Sequence, residues 1–289
     1  MFRPRLIAAC LSGLAAAALL APALPAAADA PGPTPAGYLA LGDSAPFGYN
    51  PYLNSALGAS QYVGYPESTA STLRLPVANA SCPCGSTGGF MDRTSTDDNG
   101  CQTQWRPSGG PMHVAYAGSQ LDYAVAYLSS HPQTRLVTLN IGANDVFHCQ
   151  KIYADKCASE FPATLTTIGM NLHAIFTRLR SVYSGPLVTV TYYSTDYSNA
   201  ALTGSVQALN QVLTGQTVAA GGVVANGFAS FGVLASLRNG STCAARLLIP
   251  NPAGGCDEHP SAFGHAVLTA AVDGALLRAL ASAASPVSP

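Results

Sequence analysis

The sequence has little charge, and the charge it has is nearly balanced. Only 9% of its 289 residues are charged, with 13 Lys and Arg against 14 Asp and Glu, and the basic residues form no run. Proteins that bind a phosphate backbone need a clustered surplus of positive charge, so we expect no nucleic-acid partner. Apolar residues make up 48% of the chain, which excludes a disordered tail and provides for a sizeable core.

Spacings typical of metal sites are also lacking. The six histidines form no H-x-H or H-E-x-x-H arrangement, whereas metal-assisted hydrolysis needs three or four converging ligands. Cys82-Pro83-Cys84 could begin a zinc site, but the remaining cysteines do not recur as pairs with the spacing of structural zinc. We therefore expect neither a metal nor a cofactor.

Residues 1–28 have the composition of a secretory signal peptide. Two arginines precede an apolar stretch that ends in small, Ala-rich steps, and the stretch is short for a bilayer span of about 20 residues. We expect cleavage after Ala28 and a secreted, extracellular monomer. No stable membrane insertion is expected, because we find no later apolar run that approaches membrane length. Residues 29–36 are predicted to be a disordered linker and residues 282–289 a frayed tail.

Seven of the eight cysteines remain after loss of the signal peptide, which contains Cys10. An oxidising compartment favours disulfides. Neighbouring positions in the sequence suggest three pairs and leave one thiol over. The pairs are Cys149 with Cys157, Cys243 with Cys256, and Cys101 with either Cys82 or Cys84.

Short apolar runs alternate with longer segments of helical period over residues 37–281. This alternation predicts one three-layer α/β/α domain, in which five or six helices cover both faces of a five-stranded parallel sheet. The predicted strands are residues 38–41, 77–80, 136–141, 187–192 and 223–226. A last helix is predicted from about residue 261 to residue 281.

The first predicted strand ends in Gly42-Asp43-Ser44. In such a sheet the ligand crevice lies at the carboxyl ends of the strands. A serine at this corner can expose its hydroxyl and its own N–H together, as a nucleophile with part of an oxyanion hole requires. The same tripeptide also forms ordinary turns, so it is weak evidence by itself.

The third predicted strand leads into Gly142-Ala143-Asn144-Asp145 at the same edge. Asn144 can direct a side-chain N–H at a developing oxyanion, and Asp145 can hold the loop by accepting hydrogen bonds from backbone N–H groups. The alternative is an Asn-Asp turn that caps a helix.

Asp257-Glu258-His259-Pro260 precedes the last predicted helix. A chain returning to the sheet edge could place the His259 imidazole beside Ser44 as a general base. An isolated histidine is otherwise a helix cap or a surface residue.

In this order, the three segments resemble the sequence blocks of the secreted bacterial SGNH hydrolases, also called GDSL esterases or lipases. The resemblance covers nearly all of residues 37–281 and implies a flavodoxin-like fold. It also implies a serine carboxylester hydrolase that forms an acyl-enzyme on Ser44, with His259 as general base and then general acid. The oxyanion would be held by the N–H of Ser44, the side chain of Asn144 and a backbone N–H of a further block.

Two positions depart from the family pattern. Residues 79–88 resemble the family's Asn-x-x-x-Pro-Gly loop with Cys84 at the glycine position, so either Cys84 or Gly85 supplies the backbone N–H. A cysteine at that position would account for the odd thiol and leave Cys82 to pair with Cys101.

The second departure concerns the residue that orients His259. The family has an aspartate three residues before the histidine, but here that position is Cys256, and Asp257 stands two residues before. Either Asp257 binds the imidazole Nδ1, or a backbone carbonyl does so and leaves a Ser-His dyad.

Aromatic residues in the loops after the first strand bear on the substrate. They could contact acyl chains or stack on sugars, so the expected substrate is a small ester, a lipid or an acylated glycan. The alternatives to an esterase or lipase are a polysaccharide O-deacetylase that uses the same site and a non-catalytic secreted binding module. These aromatic residues are Phe47, Tyr49, Tyr52, Tyr62 and Tyr65.

Overall fold

The computed structural model describes residues 37–284 of the chain. The predictions of a signal peptide and a linker, and the prediction for residues 285–289, lie outside this part. Residues 282–284, predicted to belong to the tail, continue the last helix.

The centre of the fold is a five-stranded parallel sheet with helices on both faces, which confirms the predicted fold class. The strands run in the order β2-β1-β3-β4-β5, the flavodoxin-like order. This order places β1 beside β3, and Gly42 pairs with Asn140 at their carboxyl ends. The segments with Ser44 and Asn144 therefore leave the sheet side by side. The strands are β1 (Tyr38–Gly42), β2 (Val77–Asn79), β3 (Leu136–Asn140), β4 (Leu187–Val190) and β5 (Val223–Ala225).

Nine α-helices occur within residues 37–284, more than the five or six predicted, because the long loops contain short helices. Those loops also contain 3-10 turns at Ser55–Leu57 and Ala59–Gln61 and a π-helical turn at Cys101–Trp105. The helices are α1 (Ser44–Phe47), α2 (Tyr65–Leu73), α3 (Thr87–Met91), α4 (Gln120–Ser130), α5 (Ala143–Ile152), α6 (Phe161–Arg180), α7 (Ala200–Ala219), α8 (Gly227–Ser236) and α9 (Ala262–Ala284).

Each face of the sheet packs against helices to form a separate apolar core. Alternate residues of a strand point to opposite faces, and in β1 the side chains of Leu39 and Leu41 join the core formed with α4 and α6. Tyr38 and Ala40 join the other core, with α2, α8 and α9. All four residues are completely buried, which explains why this strand reads as a continuous apolar run.

Helix α9 contains an apolar stretch of membrane length that the sequence analysis missed. Residues Ala262–Leu280 have a mean hydropathy of 1.3 over an 18-residue window. One face of the helix buries Leu268, Val272 and Ala275 in the core beside β4 and β5. Part of the apolar surface of this helix therefore packs against the sheet.

An antiparallel hairpin of β6 (Leu248–Pro250) and β7 (Cys256–Pro260) precedes α9. The sequence analysis did not predict it, because its strands are short and contain prolines and charged residues. The Cys243–Cys256 disulfide ties the start of β7 to the turn that precedes β6. The hairpin carries Asp257 and His259 to the edge of the sheet at which β1 ends.

Candidate active site

The corner that carries Ser44 depends on a glycine. Gly42 has a φ of 133°, and a Cβ built there would lie 2.0 Å from the carbonyl oxygen of Asn140, so no side chain fits. The buried Gln120 accepts the Gly42 N–H at 2.6 Å and donates to the Gly42 carbonyl at 3.0 Å. These contacts fix the end of β1, and Ser44 begins α1 two residues later, half-buried at the edge of a cleft.

Ser44, His259 and Asp257 form a hydrogen-bonded series. Ser44 Oγ lies 2.9 Å from His259 Nε2, and His259 Nδ1 lies 2.5 Å from Asp257 Oδ1. Residues two apart in a strand share a face, so β7 places Asp257 and His259 side by side. This geometry explains how a spacing of two can replace the family's spacing of three. The Asp257 carboxylate also accepts the backbone N–H of His259, at 2.9 Å.

The environment of Asp257 keeps this carboxyl group ionised. Burial raises its pKa, but the hydrogen bonds and positive charge of His259 outweigh burial, and the net pKa lies below its ordinary value. A charged Asp257 therefore faces the imidazole ring of His259.

Two backbone N–H groups at the edge of the sheet have no acceptor among the residues that the structure describes. Ser44 is the first residue of α1, so its N–H has no partner within the helix. Among residues 37–284 we find no acceptor for the Cys84 N–H either. The Gly85 N–H, in contrast, donates to the Cys82 carbonyl at 3.1 Å, and the Cys82 N–H donates to the Gly42 carbonyl at 3.0 Å. The loop of residues 82–85 thus lies against the Ser44 corner with the Cys84 N–H unused.

Cys84 occupies a backbone conformation that favours glycine. Its φ is 62°, in the left-handed region, which gives a physical reason for the glycine that the family has here. The thiol of Cys84 is free and half-buried. Burial raises the pKa of this thiol, and the nearby charge of Asp43 raises it further.

Asn144, at the start of α5, is buried beside Asp43. Its Nδ2 donates to Asp43 Oδ2 at 3.5 Å, and its Oδ1 accepts a hydrogen bond from Asn99 Nδ2 at 2.9 Å. Asp43 also accepts hydrogen bonds from the Tyr192 hydroxyl and, at 3.1 Å, from the Ala45 N–H. Burial raises the pKa of Asp43 to about 6, against the opposing effect of these donors.

The structure places Asp145 away from the cleft. Its carboxylate accepts the N–H of Thr87 at 2.9 Å and the hydroxyl of Thr87 at 2.5 Å, and so ties α3 to α5. Burial raises the pKa of Asp145 to about 7. Gly142, with a φ of 129°, turns the chain from β3 into α5. Glu258, between Asp257 and His259, is exposed.

A cleft of about 330 Å³ opens beside Ser44 and His259. Its polar lining residues lie near Ser44 and also on α5 and α7, where they include Gln150 and Ser205, and much of the remaining wall is apolar and comes from α5, α6 and α7. The apolar side chains that line it are Val146, Phe147, Phe161, Leu202, Val206 and Leu209.

The loop aromatics that the sequence analysis put forward for substrate contact do not line this cleft. Phe47, Tyr62 and Tyr65 are buried in packing contacts, and Tyr52 is 45% exposed. Tyr49 is the one that reaches the site, with its ring edge-on to His259 at a centroid distance of 4.9 Å.

Three disulfides form in the described part of the chain, and they are the three pairs preferred from the sequence.

The same part of the chain has one cluster of potential metal ligands, formed by Asp257, Glu258 and His259. Both ring nitrogens of His259 are already hydrogen-bonded, to Ser44 and Asp257, so no free ring nitrogen faces that cluster.

Sequence reasoning missed three residues that support the site. Tyr192 follows β4 at the carboxyl edge of the sheet, so the rule used for Ser44 and Asn144 could have found it. Gln120 begins a helix, and Asn99 lies within a long loop. Nothing in their local sequence indicates that their side chains turn back towards β1 and α5.

A serine, a histidine and a carboxylate in hydrogen-bonded series, at the carboxyl edge of a parallel sheet and beside unused N–H donors, is the arrangement used by serine hydrolases. No family model matches the chain, and no curated protein matches it. Solved structures do match its fold. The three compared below are each 20% identical or less, so the likeness concerns the three-layer fold.

Phospholipase A1 from Streptomyces albidoflavus NA297 is 20% identical, with 86% of this chain and 99% of that chain covered and a TM-score of 0.53. The acetylxylan esterase Axe2 from Geobacillus stearothermophilus is 15% identical, with coverages of 84% and 93% and a TM-score of 0.53. The lipase Lip_vut3 from a goat rumen metagenome is 14% identical, with coverages of 83% and 97% and a TM-score of 0.50.

Proposed function

We propose that this protein is a secreted serine carboxylester hydrolase of the SGNH type. The observation that carries the proposal is the series from Ser44 Oγ through His259 to Asp257, at 2.9 Å and 2.5 Å, at the mouth of an apolar cleft. The three solved structures compared above, a phospholipase, an acetylxylan esterase and a lipase, support the same reaction class. The three disulfides support an oxidising, extracellular location.

In the first half of the reaction, Ser44 Oγ attacks the ester carbonyl carbon while His259 Nε2 accepts the hydroxyl proton. The charged Asp257 stabilises the imidazolium that forms. When the tetrahedral intermediate collapses, the C–O bond to the alcohol breaks, and His259 returns its proton to the departing alkoxide. The acyl group stays on Ser44. A water molecule then attacks the acyl carbon while His259 accepts its proton, the bond to Ser44 Oγ breaks, and His259 returns the proton to Oγ as the carboxylic acid leaves.

The negative charge on the carbonyl oxygen needs donors that are in place before reaction. We assign this role to the N–H of Ser44, the N–H of Cys84 and the side-chain amide of Asn144. Gly85 is left out because its N–H is bonded to Cys82. Each such donor lowers the barrier by about 3 kcal/mol.

The cleft lining favours an ester with an apolar acyl chain over an acetylated glycan. Most of the lining between α5 and α7 is apolar, with Gln150 and Ser205 as polar exceptions, and three of the loop aromatics that could stack on a sugar are buried. Burial of each methylene of an acyl chain against such a wall is worth about 0.8 kcal/mol. We therefore expect catalytic efficiency to rise with chain length until the cleft is filled.

The test is hydrolysis of p-nitrophenyl esters from acetate to palmitate by the purified protein. Ser44→Ala should abolish turnover, and Ser55→Ala, which changes an exposed serine in a 3-10 turn, should leave it intact. Turnover confined to acetate and to acetylated xylan would favour an O-deacetylase. Absence of turnover on every ester would favour a binding module, and loss of activity in EDTA with recovery in zinc would point to metal chemistry.

A further inference from the structure

We infer that Asn99 is a positioning residue that sets the orientation of the Asn144 amide in the oxyanion hole. This inference rests on the proposed function, since it assigns a role within that site. Asn99 lies in the long loop between α3 and α4, and nothing in the mechanism above uses it. It is half-buried, and its Nδ2 donates to Asn144 Oδ1 at 2.9 Å.

The orientation matters because the two ends of an asparagine amide have the same shape and opposite hydrogen-bonding character. Asn99 occupies the oxygen end of Asn144, and Asp43 Oδ2 faces the nitrogen end at 3.5 Å. In the opposite orientation, the Asn144 oxygen would face the Asp43 carboxylate, and two acceptors would oppose each other. The pair of contacts therefore holds the Nδ2 end on the side where the oxyanion forms.

Hydrogen bonds and a disulfide fix the backbone of residues 98–101, which carries Asn99. The buried Asp98 carboxylate accepts the backbone N–H groups of Gly100, Gln102 and Thr103 at 2.9–3.1 Å. The disulfide to Cys82 anchors Cys101 to the loop that carries the Cys84 N–H.

Gly100 packs closely against the loop that carries Cys84. With a φ of 146°, it leaves only 3.2 Å between the position of an added Cβ and the Cβ of Cys84. One segment thus supports two donors of the oxyanion hole, Cys84 through packing and Asn144 through Asn99.

Loss of the Asn99 donor should affect the transition state more than the bound substrate, because the charge on the oxygen develops only during the reaction. We expect Asn99→Ala to lower kcat by about 10- to 100-fold with little change in KM. Asn99→Asp keeps the shape but sets an acceptor against Asn144 Oδ1, so its loss should be larger. Thr94→Ala, an exposed change in the same loop, should leave kcat unchanged.

A double-mutant cycle separates positioning from general support of the fold. If Asn99 acts through Asn144, adding Asn99→Ala to Asn144→Ala should cause no further loss of kcat. Equal losses in both backgrounds would overturn the inference, as would a wild-type kcat in Asn99→Ala.

A second readout does not depend on turnover. The side-chain amide resonances of Asn144 can be assigned by their loss in Asn144→Asp, and Asn99→Ala should shift them and speed their exchange with water. Unchanged resonances would refute the inference whether or not the protein hydrolyses esters. Shifted resonances in a protein that hydrolyses no ester would instead refute the proposed function and leave the Asn99 contact established.

Discussion

At the scale of single residues, Asp257 shows how local backbone geometry decides what a side chain can do. In a helix, side chains two positions apart do not face each other. In the extended backbone of β7, the two side chains share a face, and the Asp257 carboxylate lies 2.5 Å from the ring of His259. The sequence left Asp257 and a backbone carbonyl as alternatives because the hairpin was not foreseen.

Asp257→Asn should lower kcat by on the order of 10³- to 10⁴-fold, because an amide cannot stabilise the imidazolium and can favour the wrong tautomer. Asp155→Asn, which changes an exposed carboxylate outside the cleft, serves as the matched control and should keep wild-type kcat. The measurement is the steady-state rate on the preferred p-nitrophenyl ester. A loss below about threefold in Asp257→Asn would show that another group orients His259.

At the scale of elements, the strands were predictable and the loops were not. Buried parallel strands are near-continuous apolar runs, so β1 and β3 could be located from the sequence, although β3 includes Thr138 and Asn140. The β6–β7 hairpin carries prolines and charges in strands of three and five residues, too short for an alternating pattern. Asn99 and Gln120 act through contacts across 45 and 78 positions of the sequence, and no local pattern encodes such contacts.

Helix α7 provides one wall of the cleft, so a bulky residue there should shorten the acyl chain that fits. Val206→Phe should reduce kcat/KM for the octanoate and palmitate esters while sparing the acetate ester, because the larger ring fills the space beside Leu209. Val218→Phe, on the exposed side of the same helix, should not change the chain-length profile. An unaltered profile in Val206→Phe would place the acyl chain elsewhere.

The Cys243–Cys256 disulfide anchors the strand that carries Asp257 and His259. Replacing both cysteines with serine should lower the free energy of unfolding by about 2–4 kcal/mol and also lower kcat. The matched pair is Cys149→Ser with Cys157→Ser, which removes the disulfide between α5 and the turn that follows it and should cost stability with a smaller effect on kcat. Thermal unfolding and initial rates measure the two effects, and an unchanged melting temperature after full reduction would contradict this account of the disulfides.

At the scale of the whole molecule, buried ionisable groups couple stability to pH in opposite directions. Asp43 and Asp145, whose pKa values burial raises to about 6 and about 7, bind protons more readily in the folded protein than in the unfolded chain. They therefore add stability as the pH falls below 7. His265 is buried, its Nδ1 has no hydrogen-bond partner within residues 37–284, and burial lowers its pKa to about 3.

His265 should therefore cost stability in acid. Its folded pKa lies below that of the unfolded chain, so the unfolded state takes up the proton first, and stability falls as the pH drops below about 6.5, by about 1.4 kcal/mol per unit. From pH 7.5 to pH 4.5, His265→Leu should gain about 3 kcal/mol relative to wild type in denaturant unfolding. Thr269→Val, a buried change on the same helix that removes no titratable group, should show no such gain. Parallel pH profiles for wild type and His265→Leu would contradict the prediction.

The proposed mechanism requires Ser44 to carry the acyl group between the two halves of the reaction. The direct measurement is to quench the protein during turnover of a p-nitrophenyl ester and to locate the acyl adduct by peptide mass spectrometry. We predict the added acyl mass on the peptide that contains Ser44, and no adduct in Ser44→Ala. An adduct on another residue, or undiminished hydrolysis by Ser44→Ala, would contradict the mechanism.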